Sequence, residues 1–163
     1  MLLAPMEDVS YPPFRAVCKD HGADMMYTEF ISSEGLIRDA VKSVRKLDIF
    51  EYERPIGIQL YGSEIDSMRE AAEIADEANP DLIDINYGCP VKGVACRGAG
   101  AGLLRDIPKM VAMTANLMAM TKELDDRYKK GDAVSATYCR LKFKNIHTAT
   151  DTILKVSARR PRI

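Results

Sequence analysis

Residues 82–90 read Leu82-Ile83-Asp84-Ile85-Asn86-Tyr87-Gly88-Cys89-Pro90, and the chain continues Val91-Lys92-Gly93-Val94-Ala95-Cys96-Arg97-Gly98-Ala99-Gly100-Ala101-Gly102-Leu103-Leu104. A short apolar run opens here directly into a glycine-rich loop with Asn86 and Cys89 at its mouth. In parallel α/β proteins the carboxyl ends of strands carry the chemistry, because loops there face a ligand without disturbing the core. Cys89 sits between Gly88 and Pro90, one permissive and one pinned, a setting that holds a thiol in one orientation.

Three further short apolar runs precede this one, at Leu2–Met6, Met25–Tyr27 and Ile56–Leu60. Segments of helical spacing separate them. Pro12 and Pro13 open a helix through Phe14, Val17 and Cys18 that stops near His21-Gly22. Ser33 is placed to cap a helix over Glu34–Val44. Ile65–Ala78 follows Ser63 with an apolar stripe of Met68, Ala71, Ala72 and Ala75, and Asn79-Pro80 ends it. A fourth helix is predicted from Ile107 to Leu124. Strand starts recur about every 25–30 residues, the size of a βα unit in a parallel sheet.

Both a doubly wound sheet and a (β/α)8 barrel fit that alternation. No G-x-G-x-x-G follows the first strand, so the dinucleotide-binding alternative is the weaker one. The barrel is favoured, yet four units make half of one, since a full barrel needs about 250 residues. The expected fold class is therefore α/β, a partial (β/α)8 TIM-type barrel over residues 1–124, followed by a basic, irregular tail over 125–163. Asp125–Asp132 reads as turn-like, Ala133–Phe143 as a strand of mixed faces, and Asn145–Val156 as a short amphipathic helix.

Composition narrows the function classes only slightly. The 163 residues are 47% hydrophobic and 29% charged, with net charge −1, which gives no whole-chain case for nucleic-acid or membrane binding. Charge is unevenly spread: Lys122 to the end carries 11 Lys/Arg against 5 Asp/Glu, near +6, and the rest is near −7. A basic end of this kind binds polyanions or forms a plain solvated surface. Cys18, Cys89, Cys96 and Cys139 show no CxxC spacing and no histidine pair, so no metal site is expected. No secretory signal and no membrane span is read, which suits a cytoplasmic protein with reduced thiols.

The ordered set Ala4-Pro5-Met6-Glu7-Asp8-Val9 with Phe14-Arg15, Thr28-Glu29-Phe30-Ile31-Ser32-Ser33-Glu34-Gly35-Leu36, Ile58-Gln59-Leu60-Tyr61-Gly62 and Asp84-Ile85-Asn86-Tyr87-Gly88-Cys89-Pro90 resembles the flavin-dependent tRNA-dihydrouridine synthases. The resemblance covers residues 1 to about 115, and the motifs stop beyond about Thr114. The chain thus looks like the amino-terminal half of such a barrel, with a shortened opening before Leu3.

This resemblance implies an FMN-binding barrel that reduces uridine in tRNA to 5,6-dihydrouridine, with NADPH or NADH as reductant. It implies that Ala4, Pro5 and Met6 lie against the flavin and that Gln59 hydrogen-bonds the flavin edge. Asn86 would sit beside flavin and base, and Cys89 would be the general acid toward C5 of uracil. A thiol of ordinary pKa, about 8.5, is mostly protonated at neutral pH and suits that role.

Plainer readings stand beside these. Cys89 by itself reads as a packing thiol, as do Cys18 and Cys96. Gln59 alone is an ordinary strand-end amide, and Lys92 and Arg97 are solvated loop charges. His21 reads as a helix-end cap, and Met110, Met113, Met118 and Met120 as core packing. Two other functions fit the same chain: another FMN-dependent barrel oxidoreductase acting on a small molecule, or a catalytically inactive half-barrel that self-associates through its open edges.

Overall fold

A computed structural model describes residues 1–129. The expected strand at 133–143, the helix at 145–156, His147 and the basic end lie outside the described residues. The described chain is α/β, built on one parallel sheet. Its elements are α1 (Pro12–Asp20), β1 (Met26–Tyr27), β2 (Ile31–Ser32), α2 (Ser33–Leu36), α3 (Val41–Arg45), β3 (Ile56–Tyr61), α4 (Ile65–Glu77), β4 (Leu82–Ile85), α5 (Lys92–Ala95) and α6 (Ile107–Lys129).

β3 is the central strand. Gly57 pairs with both Tyr27 and Leu82, and Leu60 pairs with both Ile31 and Ile85. β1 and β2 therefore lie on one side of β3 and β4 on the other, so β1 and β2 are two ends of a single extended segment. Met26 pairs with Ile56 but Ile31 with Leu60, leaving three residues, 28–30, opposite two. That is a β-bulge. Thr28 mends the ladder: its N–H donates to the Gly57 carbonyl at 2.9 Å, and its Oγ1 accepts from the Gln59 N–H at 3.3 Å. Leu2 bridges Met25, again in parallel. Neighbours in the sheet thus follow chain order, the segment at Leu2, then β1 with β2, then β3, then β4.

The expected first strand over Leu2–Met6 shrinks to that one bridge and the Leu3 N–H to Met25 carbonyl bond at 2.9 Å. Pro5 has no N–H to offer a ladder. The chain then turns at Met6–Ser10, with Asp8 in the left-handed region (φ 57) and the Ser10 N–H bonded back to the Met6 carbonyl.

The single helix expected over Glu34–Val44 is two short ones, and its cap is Ser32, whose Oγ accepts from the Gly35 N–H at 3.3 Å. The break falls where Asp39 adopts φ 52. α3 then folds back so closely that a Cβ on Gly35 would lie 2.5 Å from Ser43 Oγ. α4 keeps its predicted stripe: Met68, Ala71, Ala72 and Ala75 are fully buried, and Asn79 at φ 54 ends the segment. α6 runs on through the residues read as turn-like, to Lys129. Polar residues such as Glu, Lys and Arg are good helix formers, so their polarity alone does not mark a turn.

One face of the sheet packs on helices. Ile31, Ile58, Leu60 and Ile83 meet Leu36, Met68, Ala71, Ala72 and Ala75, with Leu103, Met110, Met113, Leu117 and Met120 closing the core. Three of the four methionines expected in packing are buried; Met118 is half-buried.

A second anchor ties the loops to α1. Arg15 and Glu53 are 2% and 0% exposed and pair through Nε–Oε1 at 2.9 Å and Nη2–Oε2 at 3.1 Å. The guanidinium also donates to the Ser10 and Asp48 carbonyls, and Glu53 accepts from the Phe50 N–H. Removing one partner of such a pair leaves the other charged, buried and unmatched. Glu53→Ala is expected to lower unfolding stability by about 3–5 kcal/mol, read as a shifted urea midpoint. Arg15→Met with Glu53→Leu should recover most of that loss.

Candidate active site

The other face of the sheet carries the polar groups. Residues two apart on a strand share a face, so Gly57 and Gln59 look the same way. A Cβ on Gly57 would lie 2.6 Å from Tyr27 Cδ1 and 2.7 Å from Leu82 Cδ1. Tyr27 and Leu82 therefore close the layer around Gly57. One layer nearer the strands' carboxyl ends, Gln59 stands opposite Asp84 in register.

These residues form a continuous hydrogen-bonded line. Gln59 Nε2 donates to Asp84 Oδ2 at 2.5 Å, and Asn86 Nδ2 donates to Gln59 Oε1 at 2.9 Å. Asn86 Oδ1 accepts from the N–H groups of Gly88 and Cys89, at 3.0 and 2.8 Å. Asn86 is itself fixed to the end of β3, its N–H donating to the Leu60 carbonyl at 2.8 Å. The two side-chain amides are then only partly used. Gln59 keeps one donor hydrogen and one acceptor lone pair, and Asn86 keeps one donor hydrogen.

The glycine loop holds Cys89 from behind. Its carbonyl accepts from the Ala101 N–H at 3.0 Å. Gly100 sits at φ 53, and a Cβ there would lie 2.8 Å from the Cys89 oxygen, so this position needs glycine. Tyr87 ties the same loop to α6, its hydroxyl 2.8 Å from Thr114 Oγ1. Cys89 is half-buried, Cys18 likewise, and Cys96 is exposed.

Sequence reasoning placed Gln59, Asn86 and Cys89 together, and the structure joins them through shared hydrogen bonds. Ala4, Pro5 and Met6 lie at the far side of the sheet, beyond the Leu2 bridge. Ala4 and Met6 are exposed, and the Met6 N–H and carbonyl bond to Ser10. His21 keeps its capping role, with Nδ1 2.8 Å from the Val17 carbonyl. Asp84 was passed over in the sequence, although a carboxylate in an apolar strand, two residues from Asn86 on the same face, was the available signal.

Burial pushes the Asp84 carboxyl above its ordinary range, against the opposing hydrogen bonds from Gln59 and the Ile85 backbone. Burial, and secondarily the Asp84 charge, raises the Tyr27 hydroxyl. Burial raises Tyr87 too, opposed by its bond to Thr114 and assisted by Asp84.

A cleft of about 350 Å³ opens beside the rim, lined by Ser10, Tyr11, Pro12, Arg15, Glu29, Arg45, Lys46 and Asp48. Lys46 bridges Glu7 at 2.7 Å and Glu29 at 3.2 Å, joining the turn after the Leu2 segment to the bulge between β1 and β2. Burial lowers its pKa, but those two carboxylates outweigh that and hold it above the usual lysine range. Among the described residues there is no cluster of side chains able to hold a metal ion, and no helix is long and apolar enough to cross a membrane.

A parallel sheet in chain order, with amides and a thiol gathered at its carboxyl rim, defines the class of an α/β protein whose site sits on strand-end loops. The family model described as dihydrouridine synthase (Dus) matches residues 2–129, and the chain belongs to that family. The match runs past residue 115, where the recognisable motifs stop.

Curated relatives agree. The chain is 42% identical over 113 residues to the probable tRNA-dihydrouridine synthase of Aquifex aeolicus, covering 68% of this chain and 35% of the relative. It is 39% identical over 107 residues to tRNA-dihydrouridine synthase B of Pseudomonas putida, covering 65% and 32%. The chain spans about a third of the length of the curated relatives it matches.

Because the folded Asp84 binds its proton more readily than the unfolded one, its ionisation opposes folding. Its contribution is therefore favourable at low pH and falls as pH rises from the ordinary value of 3.8 through the raised folded value. Urea unfolding as a function of pH should show that decline, and Asp84→Asn should flatten it.

Proposed function

We propose that this chain carries the flavin- and base-facing part of an FMN-dependent tRNA-dihydrouridine synthase, its parallel strands being consecutive staves of a (β/α)8 barrel. Chain-ordered parallel neighbours support the barrel over a doubly wound sheet, in which the strand order reverses. One observation carries the functional reading: Gln59, Asn86 and the Cys89 backbone belong to one hydrogen-bonded line at the strand ends.

The unused valences suit the group the family implies. Gln59 retains one donor and one acceptor, the pair that an isoalloxazine edge matches, and would hold that edge. Backbone atoms of Ala4, Pro5 and Met6 would hold the ring's far side. FMN, if bound, would supply the hydride for C6 of the uracil, with NADPH or NADH as reductant.

The protein's own residues do the rest. The spare Asn86 hydrogen serves a uracil carbonyl. Cys89, held by Asn86 and Ala101, gives its thiol proton to C5 and regains one from solvent. Uridine, NAD(P)H and a proton thereby become dihydrouridine and NAD(P)+. A base within folded tRNA must leave its stack to reach such a rim. This work belongs in the cytoplasm, where thiols stay reduced.

A second reading follows from β4, which pairs with β3 alone among the described residues. An unpaired edge templates further strand pairing, so self-association of the chain, visible by gel filtration, accompanies either function.

The test mixes the purified full chain with FMN, NADPH and unmodified tRNA. Flavin fluorescence should be quenched on binding, and dihydrouridine should form. Cys89→Ala should leave the quenching intact and slow product formation by about 10²–10⁴-fold. Product at the unaltered rate in Cys89→Ala removes the acid role. No product from the unaltered chain removes the reductase reading.

A further inference from the structure

The line of amides at the rim runs between two ends whose polarity is not negotiable. At one end are the backbone N–H groups of Gly88 and Cys89, which can only donate. At the other end is the Asp84 carboxylate, which when ionised can only accept. Two side-chain amides lie between, and each is reversible in principle by a half-turn. The backbone donors require Asn86 Oδ1 to face the loop, which turns Nδ2 toward Gln59. Gln59 must then present Oε1 to Asn86 and Nε2 to Asp84. Either amide reversed would set donor against donor or acceptor against acceptor at both of its contacts.

We propose that Asp84 is a positioning residue: its carboxylate is the fixed acceptor that orients Gln59 and, through Asn86, holds the Cys89 backbone at the sheet rim. Its geometry is well suited, since Asp84 pairs with Gln59 in the β3–β4 register, where both backbones are held by the ladder. Gln59 Nε2 donates directly to Asp84 Oδ2, and an ionised carboxylate is a stronger acceptor than a neutral oxygen. The orienting role stands on this geometry alone; its importance for proton transfer from Cys89 rests on the function proposed above.

Protonation undoes the constraint, because a neutral carboxyl offers a donor as well as an acceptor and no longer dictates which end of Gln59 it meets. The neighbouring titratable groups are Tyr27 from β1 and Tyr87 from the loop after β4; burial, with a smaller contribution from the Asp84 charge, raises both above their usual value of 10. Below that range both are neutral, so the only charge that changes along this line on acidification is that of Asp84.

The test is a pH titration of the full chain by proton–nitrogen NMR, without flavin or RNA. The side-chain amide signals of Gln59 and Asn86 and the backbone signal of Cys89 should move along one curve with a shared midpoint above 3.8. Asp84→Asn should abolish that movement at all three while distant amides keep their positions, and Asp84→Glu should retain it at Gln59. Persistence of the titration in Asp84→Asn overturns the proposal. So does a titration confined to Gln59 with Cys89 unmoved, which the unaltered chain reveals even where Asp84→Asn does not fold. A chain that shows the shared curve yet forms no dihydrouridine retains the orienting role and loses only the reductase reading.

Discussion

β3 is hydrogen-bonded along both edges, and its register fixes nearly everything that follows. With Gly57 opposite Leu82 and Gln59 opposite Asp84, alternate residues send Ile58 and Leu60 into the helical core and Gly57 and Gln59 to the other face. A slip of one residue would exchange those sets, burying an amide among methionines and exposing isoleucine to the site. The apolar face against α4 and α6 thus secures the polar one. Packing that looks remote from the chemistry determines which side chains meet there.

Two irregularities refine this frame. The bulge at residues 28–30 resets the pairing between the two ends of the second segment, and Thr28 Oγ1 accepts from the Gln59 N–H that the bulge leaves over. The buried Arg15–Glu53 pair, with three further backbone contacts to its charged groups, fastens α1 to the loops before β3. A fully bonded charge pair of this kind adds little net stability compared with an apolar pair, but it admits few alternative arrangements. Both devices hold backbone near the rim where side chains alone would leave it free.

The comparison of sequence and structure turns on how local each signal is. The α4 stripe at Met68, Ala71, Ala72 and Ala75 was legible because helical spacing is a property of neighbouring residues. The split of the segment after Ser33 was not, because it depends on α3 returning to touch Gly35 from eight residues away. The strand at Leu2–Met6 was over-read for a similar reason: apolar character says nothing of whether a ladder partner stays in reach once Pro5 has removed a donor. At the site, Cys89 and Asn86 stood out because loop glycines frame them. Asp84 did not, since a single acid in a strand gains meaning only from the amide paired across from it.

By itself the sequence determined the βα alternation and the membership of the family, written in periodicity and short ordered motifs, and it singled out Gln59, Asn86 and Cys89 as candidates. Only the tertiary structure decided that Gln59, Asn86 and Cys89 are connected, in which direction their hydrogen bonds run, and that Asp84 anchors them. The physical reason is that those facts belong to strand register. Register is settled by which faces bury and which backbone groups find partners between segments about 25 residues apart, and no local stretch of chain contains that information.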